Sequence, residues 1–456
     1  MNKIIFTFFF TFPFIGEAQL SPLITSWLQN TTQTGSYYIA GNQTAIGNNV
    51  LVNCQKVQYS GSFVYINATG VPAYPTGPFQ DKNPSQASNQ NAIFKFPLDP
   101  KPQTGTFTAT TGGNIGVFIN GVAMFDYRDG VAWNTSTNAL CGGPGNPLCP
   151  GGPGVAQAWN RDAVPAEKPG FDCSKGHPAM GNYHHHQNPS AFKLDLSVIS
   201  TVCNLYDADG LYVIDPSKHS PLIGFAYDGY PVYGAYGYKN TDGSGGIARM
   251  KSGYQLRNIS VRTHHADGTD VSDGPVVSST YPLGYFREDY EFINHSSESD
   301  FLDVHNGRFC VTPEYPRGTY AYFCTVDSNY NSAYPYIIGP TFYGIYANRK
   351  VSSVDESTTV YSPQILSEGN IQKQISEVSV FPNPANDLIA IQVGSIVTED
   401  LMVELFDLTG KLVRSTKINK GSTIAFFDIQ TLYAGTYFIH ISGTSFQSTR
   451  RIVIDK

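Results

Sequence analysis

Apolar and aromatic residues come in short runs from about residue 19 to residue 348, each closed by Gly, Pro or Asn. Residues 62–67 (Ser-Phe-Val-Tyr-Ile-Asn), 115–121 and 319–323 are examples. Brief β-branched and aromatic runs between turn formers predict strands, and Asn120-Gly121 is a hairpin turn signal. The pattern changes at 349–376, a stretch rich in Ser, Glu, Gln and Val with few aromatics, which reads as a linker. Alternation resumes at 388–393, 401–407, 423–428, 435–442 and 451–454. The predicted fold class is therefore all-β. A large β-rich domain (19–348) is followed by the linker (349–376) and a small immunoglobulin-like β-sandwich (377–456).

Composition narrows the function. The 456 residues carry a net charge of −7, with 14% charged and 13% aromatic residues, 44 Gly and 29 Pro. Long solvated helices and coiled coils need more charge than this, and a nucleic-acid binder needs a basic surface. The aromatic content argues against global disorder. Residues 1–18 have a basic start, an apolar run rich in Phe and a small-residue end at Ala18, the layout of a secretory signal peptide. No later apolar run is long enough to span a bilayer, so no transmembrane segment is expected in the mature chain. Seven cysteines fit an oxidising compartment, and no C-x₂₋₄-C pair suggests a zinc finger. Sequence proximity suggests disulfides Cys141–Cys149, Cys173–Cys203 and Cys310–Cys324, with Cys54 left over.

Nine of the ten histidines lie between His177 and His305. If 183–186 is extended, His184 and His186 point to one face and His185 to the other. Two imidazoles on one face begin a shell for a divalent metal, Zn²⁺ or Cu²⁺, and need a further ligand distant in sequence. His177, His219, Asp228 and His305 are the candidates. Asp228 opens an Asp-Gly turn and reads equally as a turn cap. Asp207-Ala208-Asp209-Gly210 opens like a calcium loop, but Lys218 stands where the bidentate acid should be, which excludes an EF-hand and leaves an irregular Ca²⁺ site as the alternative. Asp267, Asp270 and Asp273 read as a solvated acidic turn.

Two resemblances add to this. Phe381-Pro382-Asn383-Pro384, the turn Asp407-Leu408-Thr409-Gly410-Lys411 and the segment Leu432-Tyr433-Ala434-Gly435-Thr436-Tyr437 resemble a type A sorting domain of the type IX secretion system of Bacteroidetes. The resemblance covers 378–456. It implies handling by the type IX secretion machinery after periplasmic transit, and an extracellular or outer-membrane surface location. Tyr183-His184-His185-His186 resembles the naming motif of the YHYH family, with His185 in place of the second Tyr. Flanking agreement includes Gly176-His177-Pro178, Tyr281-Pro282-Leu283-Gly284-Tyr285 and Asn306-Gly307-Arg308, over about 50–345. The family supplies no activity to carry over.

Two function classes stand. One is a metal-binding surface module whose aromatic faces suit a glycan or surface polymer. The other is a metal-dependent hydrolase or oxidoreductase, with Asp228 or Glu314 as general base. No G-x-S-x-G, H-E-x-x-H or phosphate-binding glycine loop names a reaction. A closed ligand set favours the first class, and an open coordination position the second.

Overall fold

The structure, a computed structural model, describes residues 20–42, 44–79, 85–152, 156–190, 210–346, 350–363, 378–394, 397, 399–443 and 447–456. The expected signal peptide and Cys203 lie outside them, as does most of the linker beyond residue 363. The chain divides into two compact units, Met1–Tyr361 and Ser362–Lys456. Both are built of β-sheet, and the helices among the described residues are single turns such as Pro22–Thr25 and Ala163–Glu167.

In the large unit an eight-stranded sheet runs in the spatial order His177–Ala179, Asn182–His185, Ala123–Phe125, Asn114–Phe118, Leu222–Ala226, Pro231–Tyr233, Thr319–Phe323, Gly307–Cys310. Neighbours are antiparallel except where Asn182–His185 meets Ala123–Phe125 and Pro231–Tyr233 meets Thr319–Phe323. The central strand Leu222–Ala226 is buried along its whole length. A five-stranded sheet packs against this one. Its strand Ala92–Pro97 turns Ala92, Phe94 and Phe96 inward and leaves the alternate residues half-buried. Phe96 meets Phe225 at 6.4 Å between ring centroids and Tyr227 at 6.0 Å, and Trp27 wedges against Phe96 and Phe225 at 5.5 Å each. These aromatic residues fill the space between the two sheets.

The linker reading fails for its first part. Lys350–Val351 pairs with Ala92–Pro97, and Thr359–Tyr361 pairs with Cys54–Tyr59, closing both edges of the five-stranded sheet. Tyr65 also donates its hydroxyl to Glu356. Edge pairing is made by backbone N–H and C=O groups, which a drop in aromatic content does not report. The large unit therefore runs to Tyr361, not to 348.

A long irregular stretch, about 257–289, is organised by one buried ion pair. Arg262 and Asp289 have fully buried side chains and meet through Nε–Oδ1 at 2.7 Å and Nη2–Oδ2 at 2.8 Å. The remaining guanidinium donors go to the carbonyls of Pro275, Tyr281 and Pro282. One cation thereby gathers three loop carbonyls that no strand partner satisfies.

The small unit has two sheets, of three and four strands. Leu401–Asp407 buries Leu401, Val403 and Leu405, and Gly435–Ser442 buries Tyr437, Ile439 and Ile441. The inward residues of the two sheets form a core separate from that of the large unit. Gly410 has φ +80°, and the Asp407 carboxylate accepts from the N–H groups of Thr409 and Lys411 around it.

Cys141 and Cys149 form a disulfide. Cys173 is buried, and its expected partner Cys203 is outside the described residues. The Cys310–Cys324 pairing is wrong. The strands are adjacent and antiparallel as expected, but the register sets Cys310 opposite Thr319 and Gly307 opposite Tyr322. Cys324 follows the far end of its strand, and five residues at about 3.3 Å each exceed the reach of a disulfide, about 7 Å between Cα atoms. Cys54, Cys310 and Cys324 are buried free thiols.

Two outcomes follow. Denaturing alkylation without reductant, read by mass spectrometry, should label Cys54, Cys310 and Cys324, and a Cys310–Cys324 cross-linked peptide would contradict the register. Arg262→Met leaves the Asp289 carboxylate buried and unpaired, and should cost about 3–5 kcal/mol of large-unit stability in denaturant titration.

Candidate metal centre

The residues Ala179 to Asn182 decide the site. Met180 and Gly181 form a two-residue hairpin loop with φ +49° and +83°, the left-handed pair of a type I′ turn. Gly181 is also required by space, since a Cβ there would meet Ser88 Oγ at 2.1 Å. The turn sets the register Ala179↔Asn182, Pro178↔Tyr183, His177↔His184. His177 therefore stands directly across from His184, with ring centroids 4.6 Å apart. His186, two residues along on the same face, brings its Nε2 to 3.1 Å from His184 Nε2. Coordinating atoms of His177, His184 and His186 all lie within 4.8 Å of one another.

Against two of these histidines stands Glu167, at the end of the helical turn Ala163–Glu167. Asp162 caps that turn by accepting from Val164 N at 3.0 Å. Glu167 Oε2 lies 3.2 Å from His177 Nε2 and 3.1 Å from His186 Nε2. Both Glu167 Oε2 and His177 Nε2 are buried atoms without a well-formed hydrogen bond. Phe125 stacks on His184 at 3.6 Å, and Phe171 meets His177 edge-on at 4.9 Å, so the walls are apolar.

The outer ring nitrogens are anchored. His184 Nδ1 donates to Asn182 O at 2.9 Å and His186 Nδ1 to Asp126 O at 2.5 Å, which leaves both Nε2 atoms aimed inward. Burial, and then the neighbouring His186 and His177, push His184 well below the ordinary histidine value. Burial also acts against the charged form of His186, but the Glu167 carboxylate outweighs it and raises His186. Burial works against ionisation of Glu167 too, yet the two imidazoles hold it well below the carboxylate range. Glu167 thus favours a proton on His186, while burial and its two imidazole neighbours disfavour one on His184.

The opposite face of the same strand holds a different network. Tyr183 donates to Asp172, with its hydroxyl 3.0 and 2.9 Å from the two carboxylate oxygens, and Asp172 also accepts from the N–H groups of Gly77, Ser174 and Gly176. Burial pushes Asp172 up to about 7. His185 Nε2 is 2.8 Å from Tyr74 OH. A Cβ on Gly176 would meet the Tyr183 ring at 2.4 Å, so the residue before His177 has no room for a side chain.

Three sequence candidates are not in the site. His219 donates from Nδ1 to Ser220 O at 2.7 Å and sits among Tyr233, Tyr238 and Phe323. Asp228 accepts from Tyr322 OH at 2.6 Å and Gly344 N at 2.8 Å, and burial pushes it up to about 6. It is a cap within the sheet ends, as the Asp-Gly turn allows. His305 bonds Thr341 Oγ1 at 2.7 Å and packs on Phe107. Each is held by the opposite half of the eight-stranded sheet, which strand order alone separates from the histidine hairpin. Glu314 accepts from Tyr233 OH at 2.8 Å and does not join the group either. The Asp207–Asp209 segment lies outside the described residues. Asp267 accepts from Thr269 N in an exposed turn. Sequence reading missed Glu167, which has no fixed spacing to the histidines. Its one signal was an acid within a short helical run, ten positions before His177.

The description "YHYH protein" matches residues 93–335, and "Secretion system C-terminal sorting domain" matches residues 379–455. The comparison with curated proteins found no match. Among solved structures, the chain is similar to a DUF3244 family protein with an immunoglobulin-like β-sandwich fold from Bacteroides vulgatus. That likeness has 22% identity, covers 17% of this chain and 84% of the other, and has a TM-score of 0.16. No helix among the described residues is long and apolar enough to cross a membrane. The sorting domain supports export by type IX secretion, toward the cell surface or extracellular space. With its named motif on the strand that carries His184 and His186, and over half of its length matched, the chain belongs to the YHYH protein family.

Proposed function

We propose that the exported large unit is a metal-binding module, in which His177, His184, His186 and Glu167 hold one zinc ion as a closed, structural centre. The observation that carries this reading is the convergence of ligand atoms of His177, His184 and His186 to within 4.8 Å of one another, with Glu167 Oε2 3.2 and 3.1 Å from two of them and the shortest imidazole pair at 3.1 Å. Four donors at about 2.0–2.1 Å from a tetrahedral ion are about 3.3 Å apart, close to the three shorter distances. Three imidazoles with one carboxylate suit zinc. Calcium prefers six to eight oxygens and Cu²⁺ a tetragonal arrangement. Four protein donors fill a tetrahedron, which supports a binding role over a hydrolase or oxidoreductase, since catalysis at zinc uses an open position. On this reading the protein acts at the cell surface by engaging a polymer, and the metal fixes the hairpin that carries the family motif.

The purified mature chain should contain about one equivalent of zinc by elemental analysis. The double variant His184→Ala, His186→Ala should lose it while still being secreted, and unchanged metal content would refute the site. Acid should release the metal. The imidazoles must be neutral to bind, and Glu167 is held well below the carboxylate range, so protons compete with the metal for the imidazoles, and Glu167 strengthens that competition at His186. Zinc affinity should therefore fall steadily from about pH 7.5 to about pH 5 in competition titrations. An affinity flat across that interval would exclude histidine ligands.

A further inference from the structure

On the other side of the helical turn that ends in Glu167 lies a groove of about 520 Å³, within the size range of small-ligand sites. Its floor is Asp162, which is fully buried and accepts from Tyr336 OH at 2.7 Å through Oδ2 and from Val164 N through Oδ1. Tyr285 and Tyr290 are half-buried on its walls together with Leu283. Tyr290 is stacked on Tyr334 at 4.2 Å and 7°, so its plane is fixed before any ligand arrives. Ser332 also lines the groove, and its hydroxyl is buried without a hydrogen-bond partner.

We propose that this groove is a binding site for a neutral pyranose of a surface glycan. This deepens the binding-module reading by naming where the polymer is held, and it does not depend on the metal being bound. The chemistry of the lining selects the ligand. Tyrosine rings offer apolar faces to the C–H face of a sugar ring, and their hydroxyls, with Ser332, can exchange donor and acceptor roles with sugar hydroxyls. Asp162 is fully buried with one oxygen taken by Tyr336 OH and the other by Val164 N, so it presents no exposed carboxylate to attract a cation. Among the described residues, the one basic side chain lining the groove is Lys168, which is too little to select a polyanion. A chain exported by type IX secretion meets such polymers outside the cell.

The test is titration of the full mature chain with soluble neutral oligosaccharides (cellohexaose, maltohexaose, mannohexaose and xylohexaose), read by calorimetry and tyrosine fluorescence. Alginate and polygalacturonate serve as acidic counterparts. At least one neutral probe should bind. Tyr285→Ala and, separately, Leu283→Trp, which fills the groove, should each weaken it by about tenfold or more, with thermal midpoints near the parent's. Two variants acting by removal and by occlusion guard against one that simply unfolds. Binding that persists after chelation, with loss in the groove variants, keeps this inference apart from the metal reading. No binding of any neutral probe, binding of the acidic polymers alone, or binding unaffected by both variants would overturn it.

Discussion

The register of one short hairpin governs the candidate site. Because side chains alternate along a strand, a slip of one residue in the Met180-Gly181 turn would exchange the two faces of 182–186. His184 and His186 would then face Asp172 and Tyr74, and Tyr183 and His185 would face Glu167. The register observed sends the imidazoles toward the half-buried Glu167 carboxylate and the Tyr183 hydroxyl toward the buried Asp172. The apolar walls of Phe125 and Phe171 raise the cost of leaving the imidazoles unmatched.

Polar groups elsewhere in the large unit follow the same logic. Asp289 is matched by Arg262, Asp228 by Tyr322 and Gly344, and Asp162 by Tyr336 and the start of the Glu167 turn. A fold with few helices and long irregular connections has many backbone and side-chain groups that strand ladders do not reach. Buried acids with several donors each supply the missing partners. Asp162 links two neighbouring features in this way: it floors the aromatic groove and caps the turn that presents Glu167 to the histidines.

What the sequence made legible was what local pattern encodes. Short alternating runs marked the strands, and the spacing of His184 and His186 correctly put them on one face. The sorting domain was visible because its turns carry their own residues, Asp407 and Gly410 among them. Non-local facts were hidden. His219, Asp228 and His305 looked equivalent to His177 because spacing says nothing about strand order. His177 owes its place to a hairpin with no Asn-Gly signal. The Cys310–Cys324 pairing failed on register, not on strand adjacency, and residues 350–361 looked like linker because edge pairing leaves no compositional mark. Glu167 was missed because a single acid on a helical turn has no motif.

The central claim is that four named side chains form a closed centre for one zinc ion. X-ray absorption at the zinc edge of the purified mature chain reads it directly. The account predicts a first shell of three nitrogens and one oxygen at about 2.0–2.1 Å, with imidazole scattering beyond it. A sulfur-containing shell, a six-oxygen shell, or a chain that takes up no zinc at neutral pH would contradict it.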